Sequence, residues 1–338
     1  MTYRNFYLIS LLLSVFAFNL KSLGQTKIHL KTNTNSNSIS IKALNPPANG
    51  IIVIWRSNVS LAKDDNWEAV HAFSSSKYKV AELPIKPKIG EKAYFKLSWQ
   101  PINLPDGLIW IPPGEFNMGS PIEEIGRFKD EGPVHSAFMP HGFWMEKYEI
   151  TQQRFRNIMG NNPSSTEFIP NLPVNQVTWH EAVKFCEKLT KTSRLNGQLP
   201  LGYVYRLPTE IEWEFACRAG TKSAYSYGDS IEILSEYGWW AKNSGNQPEP
   251  VGQLKPNPWG LFDMHGNLFE WCLDSYEAYP GGKAFSSTGN MKVLRGGAYY
   301  CPSNILRSAC RAESQKPDYR WILAGFRVVL APEIKSKR

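Results

Sequence analysis

From Ser38 to about Gln100 the chain alternates apolar and polar positions. Ile39 and Ile41 sit between polar neighbours, Ile51-Ile52-Val53-Ile54-Trp55 is a β-rich apolar run, and Ala93-Tyr94-Phe95-Lys96-Leu97 alternates again. Such alternation predicts strands. Pro46-Pro47 and Lys88-Ile89-Gly90 supply the turns between them. A small all-β module over residues 25–100 follows, at roughly 70 residues large enough to fold alone. Pro101 to Gly107, with its Pro and Asn, reads as a linker.

Beyond the linker the pattern changes. Leu108-Ile109-Trp110-Ile111 runs into Pro112-Pro113-Gly114, a strand entering a tight turn. Glu123 to Gly132 is a charged loop, and Phe143 to Ile150 reads as a strand. Thr178-Trp179-His180-Glu181 and Thr209-Glu210-Ile211-Glu212 are capping boxes, in which the Thr hydroxyl meets a backbone N–H and the Glu reaches back. Val183, Cys186 and Leu189 recur at helical spacing after the first box, and Trp213, Ala216 and Cys217 follow the second, with Gly220 as the stop. A shorter helix is expected after Thr151, carrying Phe155 and Ile158. The remainder is rich in Gly, Pro, Asn and Trp, with short strands expected at 293–295 and 325–330 and no tandem repeat. Few helices, short strands and long loops predict an α+β fold rather than a doubly wound sheet.

Pro258 to Cys272 is the densest stretch, with Gly260 and Gly266 punctuating large apolar rings. Asp263 and Glu270 offer carboxylates there, and Gly266 and Leu268 offer carbonyls from the turn between them. That mixture suits a hard cation such as calcium. Acidic residues near a Gly-Asn turn also cap backbone donors, and the spacing does not choose between the two. The six histidines show no paired helical spacing, so a His-based zinc or iron site is unsupported.

Composition narrows the classes. Hydrophobic residues make up 42% and aromatics 13%, which is globular rather than disordered. The net charge of +8 is scattered, apart from the basic tail at 333–338, so nucleic-acid binding is not indicated. Arg4 followed by the apolar run Phe6 to Phe18 reads as a secretory signal over residues 1–24, cut after Gly24. With no other apolar run long enough to span a bilayer, a secreted or periplasmic protein without a transmembrane span is expected after signal removal. An oxidising compartment makes disulfides expected among Cys186, Cys217, Cys272, Cys301 and Cys310, and an odd number leaves one thiol over. Cys301, after Arg295-Gly296-Gly297-Ala298-Tyr299-Tyr300, reads as a nucleophile or soft-metal ligand, or as a disulfide partner. No nucleophile elbow, phosphate loop or Walker lysine occurs.

Leu108 to Ser120, Arg206 to Gly220, Asn257 to Cys272, Arg295-Gly296-Gly297 and Gly325-Phe326-Arg327-Val328 occur in this order. Together they resemble the formylglycine-generating enzyme, or sulfatase-modifying factor, family over about residues 108–332. The resemblance implies a loop-rich α+β variant of the C-type lectin-like fold. It implies one calcium site at Asp263, Gly266, Leu268 and Glu270, and another opening at Asn243 and Ser244, whose acidic partner is missing here. The family's enzymes oxidise a sulfatase cysteine to formylglycine with oxygen and a copper ion held by two cysteines. Cys301 matches the first, while the second falls near Leu306, where there is no thiol. Copper(I) favours two sulfurs, so the departure bears directly on catalysis. The resemblance further implies a Cys217–Cys310 disulfide, admits a Cys272–Cys301 bridge, and leaves Cys186 a buried thiol. An iron-dependent sister branch carries an extra helical bundle, whereas the N-terminal region here reads as β. That region is loosely similar to a β module of secreted bacterial proteins, as a docking element or a spacer. The functional expectation is an exported, divergent member that acts as a scaffold for a protein or glycan ligand. The alternative is a formylglycine-generating oxidase acting on a sulfatase, and a third option is another reaction in the same pocket.

Overall fold

The computed structural model describes the strands between Lys27 and Pro101 and residues 104–139, 141–200, 202–282, 290–311 and 313–334. The expected signal at 1–24 and the tail from 335 onward lie outside the described residues. The chain divides into two units, Met1–Asn103 and Leu104–Arg338. In the first, β1 (Lys27–Asn33), β2 (Ser38–Leu44), β5 (Val80–Ala81) and β6 (Pro84–Ile85) form one antiparallel sheet. A second antiparallel sheet has the order β4-β3-β7, from β3 (Gly50–Ser57), β4 (Glu68–Ser74) and β7 (Tyr94–Pro101).

Among its described residues the second unit sets three α-helices against short sheets. β8 (Leu108–Ile111), β11 (Phe143–Glu146), β12 (Tyr203–Arg206) and β17 (Val329–Pro332) make a sheet of order β12-β17-β11-β8. β13 (Phe269–Ser275), β14 (Lys292–Arg295), β15 (Glu313–Gln315) and β16 (Ala324–Gly325) make another, of order β15-β14-β13-β16, in which β13 and β16 run parallel. β9 (Gly114–Met118) and β10 (His135–Met139) pair as a separate antiparallel ribbon. The helices are α1 (Gln152–Met159), α2 (Trp179–Leu195) and α3 (Glu210–Arg218).

Local sequence explains the helices. Thr151, Thr178 and Thr209 each cap an N-terminus with the side-chain oxygen, and Glu181 and Glu212 complete the two boxes. Each such cap contributes about 1 kcal/mol. α3 ends one residue earlier than the Gly220 signal suggests, because Ala219 itself adopts the left-handed conformation at φ 49°. Trp213, Cys217, Leu261, Met264 and Cys272 are fully buried in one cluster that joins α3 to the Pro258–Cys272 segment.

Two expected strands are shorter than their apolar patterns. The strand from Phe143 stops at Glu146, and the 325–330 run splits into β16 and β17. Between β16 and β17 Arg327 is completely buried and bonds to Glu270, while the flanking Phe326 and Val328 carbonyls accept from the Ile150 and Glu146 amides at 2.9 Å.

Candidate functional site

The Pro258–Cys272 segment is held by polar side chains from both flanks. Asn257 donates from Nδ2 to the carbonyls of Ala216 and Cys217, at 2.8 and 3.1 Å, and so fastens the segment to the end of α3. Gly266 has φ 121°, and a Cβ there would sit 2.0 Å from the Trp239 carbonyl oxygen. No other residue fits. The Tyr299 amide donates to the Asn267 carbonyl at 2.8 Å, which sets the segment beside the Gly296–Cys301 turn.

His265 points inward. Its Nδ1 lies 2.8 Å from the Leu306 carbonyl, so this nitrogen donates. Its Nε2 accepts from the Ser226 amide at 3.1 Å. Burial pushes its pKa down to about 4, which keeps the ring neutral. It is a satisfied core histidine.

The expected calcium ligands meet with unequal freedom. Glu270 is spent: both its oxygens accept from Arg327, at 2.6 and 2.7 Å, and Oε2 also accepts from the Trp213 indole at 2.8 Å. Asp263 accepts from the Gly252 amide through Oδ2 at 2.8 Å, but its buried Oδ1 has no partner. Glu149 stands close by and accepts from Asn267 Nδ2 and the Leu268 amide, at 2.7 and 3.0 Å. Burial pushes the Glu149 carboxyl well above the ordinary range, and the neighbouring Asp263 and Glu270 charges push the same way. Burial pushes Asp263 up to about 6. The unpartnered Asp263 oxygen fits a cation; Glu270 does not fit while Arg327 holds it. Among the described residues no group of three His, Cys, Asp or Glu side chains converges as a metal cage. Asn243 and Ser244 staple a loop instead. Asn243 Oδ1 accepts from the Trp240 amide at 2.9 Å, and the Ser244 hydroxyl donates to the Tyr299 carbonyl at 2.9 Å.

Cys301 is half-buried at the edge of a cluster formed by Ala224, Tyr225, Leu234 and Leu306, with Tyr227, Trp240 and Ile305 around it. Burial pushes its thiol up to about 11. Leu306 is fully buried and ends the one-turn 3-10 helix Ser303–Leu306. Leu306 is the residue that the family resemblance matches to a second sulfur, and its aliphatic side chain offers a soft metal no donor.

Among the described residues no disulfide is formed. Of the second expected pair, Cys272 lies inside the main core with Trp213 and Val293, while Cys301 borders the Tyr225 cluster. The Cys217–Cys310 bridge is not formed either, although the segments it would join are fastened together by charge. Glu210 of α3 takes Arg311 through both oxygens, at 2.6 and 2.9 Å. Glu214 takes Arg295, whose guanidinium also donates to the carbonyls of Ala309 and Cys310. Cys186 is a buried thiol in α2.

The sequence reading missed the buried arginines Arg295, Arg307 and Arg327 and the carboxylate Glu149. One signal was available: Val-Leu-Arg-Gly and Gly-Phe-Arg-Val each place a single charge inside an apolar run. Such a charge is paired when buried.

The fold and its segment order define a loop-rich, C-type lectin-like α+β protein of the formylglycine-generating-enzyme type. The family model for the sulfatase-modifying factor enzyme 1-like domain matches residues 95–332, and the chain belongs to that family. It is 33% identical over 304 residues to the formylglycine-generating enzyme of Streptomyces coelicolor, covering 68% of this chain and 91% of the relative. It is 28% identical to a chaperone protein LppX of Paenibacillus barcinonensis, over 48% of this chain and 71% of that one. It is also 28% identical to a serine/threonine-protein kinase pkn1 of Chlamydia pneumoniae, of which it spans only 35%. Among solved structures, Treponema denticola variable protein 1 superimposes with a TM-score of 0.58 at 24% identity, over 73% of this chain and 98% of that one. PvdO from Pseudomonas aeruginosa gives 0.56 at 25% identity, over 66% and 93%. No helix among the described residues is long and apolar enough to cross a membrane.

Proposed function

We propose that this protein is a divergent, non-catalytic member of the sulfatase-modifying factor family, exported from the cytoplasm, that holds a protein or glycan ligand on the surface around Cys301. One position carries the proposal. Leu306 is fully buried where the second copper-binding sulfur would stand. A lone thiol, pushed up to about 11 by burial, offers neither the two-sulfur geometry nor the thiolate that copper(I) needs. Calcium enters as a structural ligand of Asp263, whose buried Oδ1 is unpartnered; it would add charge stabilisation between two buried carboxyl groups and no chemistry.

The oxidase reading keeps one observation in its favour: Cys301 is half-buried on a turn rather than sealed in the core. A single assay separates the two. The protein is loaded with copper(I), given oxygen and a sulfatase-motif peptide, and the peptide is weighed by mass spectrometry. No aldehyde above a copper-only control is expected. Aldehyde that disappears in Cys301→Ala would overturn the proposal.

A further inference from the structure

α2 turns a basic ribbon outward. Lys184, Lys188, Lys191 and Leu195 follow one another at helical spacing, which stacks them on one face over about 16 Å of helix. All of them are exposed, Leu195 at 79%. The opposite face buries Ala182, Phe185, Cys186 and Leu189, so packing fixes which way the ribbon points. Arg194 is exposed at its edge. None of these lysines, nor Arg194, forms a salt bridge among the described residues.

The elements packed against α2 add no free carboxylate but one. α1 carries Arg154 and Arg156 and no acid, and β12 carries only Arg206. Arg154 is paired with Glu146 and Arg206 with Glu212. On α2 itself Glu181 is held by Arg320, and His180 faces Asp318 at 3.5 Å near the N-terminal end. Glu187 and Glu333 remain. With Lys191, Arg194 and Leu195 they line one cavity of about 390 Å³, so Glu333 shares this surface. The chain runs on from Glu333 through Lys335, Lys337 and Arg338. At no more than about 3.5 Å per residue, these cations stay within about 17 Å of the cavity. Cations therefore outnumber free carboxylates on this face. Lysine is a compact charge without the planar fork of arginine, and no Trp or Tyr lies on the ribbon for a sugar to stack on. A row of phosphate headgroups matches the lysines, and the nearly bare Leu195 matches the apolar layer beneath them.

We propose that the exposed face of α2, together with the Lys335–Arg338 segment, docks the protein on an anionic phospholipid surface. The inference is independent of what the surface around Cys301 holds. Co-sedimentation of the full chain with vesicles tests it, using phosphatidylcholine alone and phosphatidylcholine mixed with phosphatidylglycerol. Partitioning is expected on the mixed vesicles only, and should weaken as salt is raised. Lys184→Gln with Lys188→Gln and Lys191→Gln should weaken it by about a hundredfold, at about fivefold for each cation near an anionic surface. Circular dichroism should not change, because all three side chains are exposed. Lys335→Gln with Lys337→Gln and Arg338→Gln should act similarly, and Leu195→Ser should weaken partitioning by about threefold or more. Lys222→Gln with Lys242→Gln and Lys255→Gln, on the loops that follow α3, removes the same net charge and should stay within about threefold of the parent. Equal sedimentation with both vesicles, insensitivity to the α2 or the tail triple, or an equal loss from the control triple overturns the proposal. So does tighter capture by polygalacturonate than by the mixed vesicles at matched charge, or no effect of Leu195→Ser, since the face would then read charge without a bilayer.

Discussion

Arg327 closes on Glu270 through both carboxylate oxygens, at 2.6 and 2.7 Å, and both side chains are wholly buried. Neither charge has water to fall back on. Removing one partner strands the other, at a cost of roughly 3–5 kcal/mol, whereas an apolar pair of similar volume is far better tolerated. Glu270→Ala is therefore expected to lower the urea midpoint strongly, and Glu270→Leu with Arg327→Met to regain most of it. A single substitution within about 1 kcal/mol of the parent would show that the pair is not buried as described.

Calcium should act through Asp263 rather than Glu270. Added calcium is expected to raise the melting temperature of the parent and not of Asp263→Ala, since a ligand that binds only the folded state stabilises it by mass action. Asn243→Ala should retain the shift, because Asn243 is occupied with the Trp240 amide. Equal shifts in the parent and Asp263→Ala would dissociate the ion from this carboxylate.

Glu146 gives a signed dependence on pH. Its carboxyl is buried, and burial outweighs Arg154 and Arg327, raising its pKa from 4.5 to about 7. The folded state then binds more protons than the unfolded chain between those values. Its contribution to stability is greatest below about pH 4.5 and declines as pH rises toward 7. Burial of His265 works in the opposite direction and the raised carboxyls of Asp263 and Glu149 in the same one, so the parent curve mixes them all. The difference between the parent and Glu146→Gln isolates the first: denaturant midpoints should diverge steadily over that window and run parallel above it.

Gly266→Ala is expected to be among the most damaging small changes. The added methyl would meet the Trp239 carbonyl oxygen at 2.0 Å, at a φ that L residues avoid. A loss of roughly 3 kcal/mol or more in denaturant unfolding is expected, well above the typical point substitution. Gly160→Ala has nothing within 4 Å and tests the φ cost alone, near 1 kcal/mol.

Alkylation should find one thiol before the rest. Cys301 is half-buried, whereas Cys186, Cys217 and Cys272 are buried. Native iodoacetamide labelling mapped by mass spectrometry should mark Cys301 first, faster as pH climbs toward about 11. A Cys272–Cys301 bridge in a non-reducing map would contradict the two separate clusters.

What the sequence determined by itself was local or ordinal. The Thr178–Glu181 and Thr209–Glu212 boxes span three residues, so their geometry is carried by the words themselves. The ordered segments from Leu108 to Val328 were enough to place the family. What only the tertiary structure decided involves residues far apart in the chain. Glu270 and Arg327 lie 57 positions from each other, and no pattern announces that the arginine rather than an ion takes that carboxylate. The same holds for the free oxygen of Asp263, for Cys272 and Cys301 entering different clusters, and for the split of the 325–330 strand. Each is settled by which groups compete for one buried space, and that competition exists only after the loops have closed.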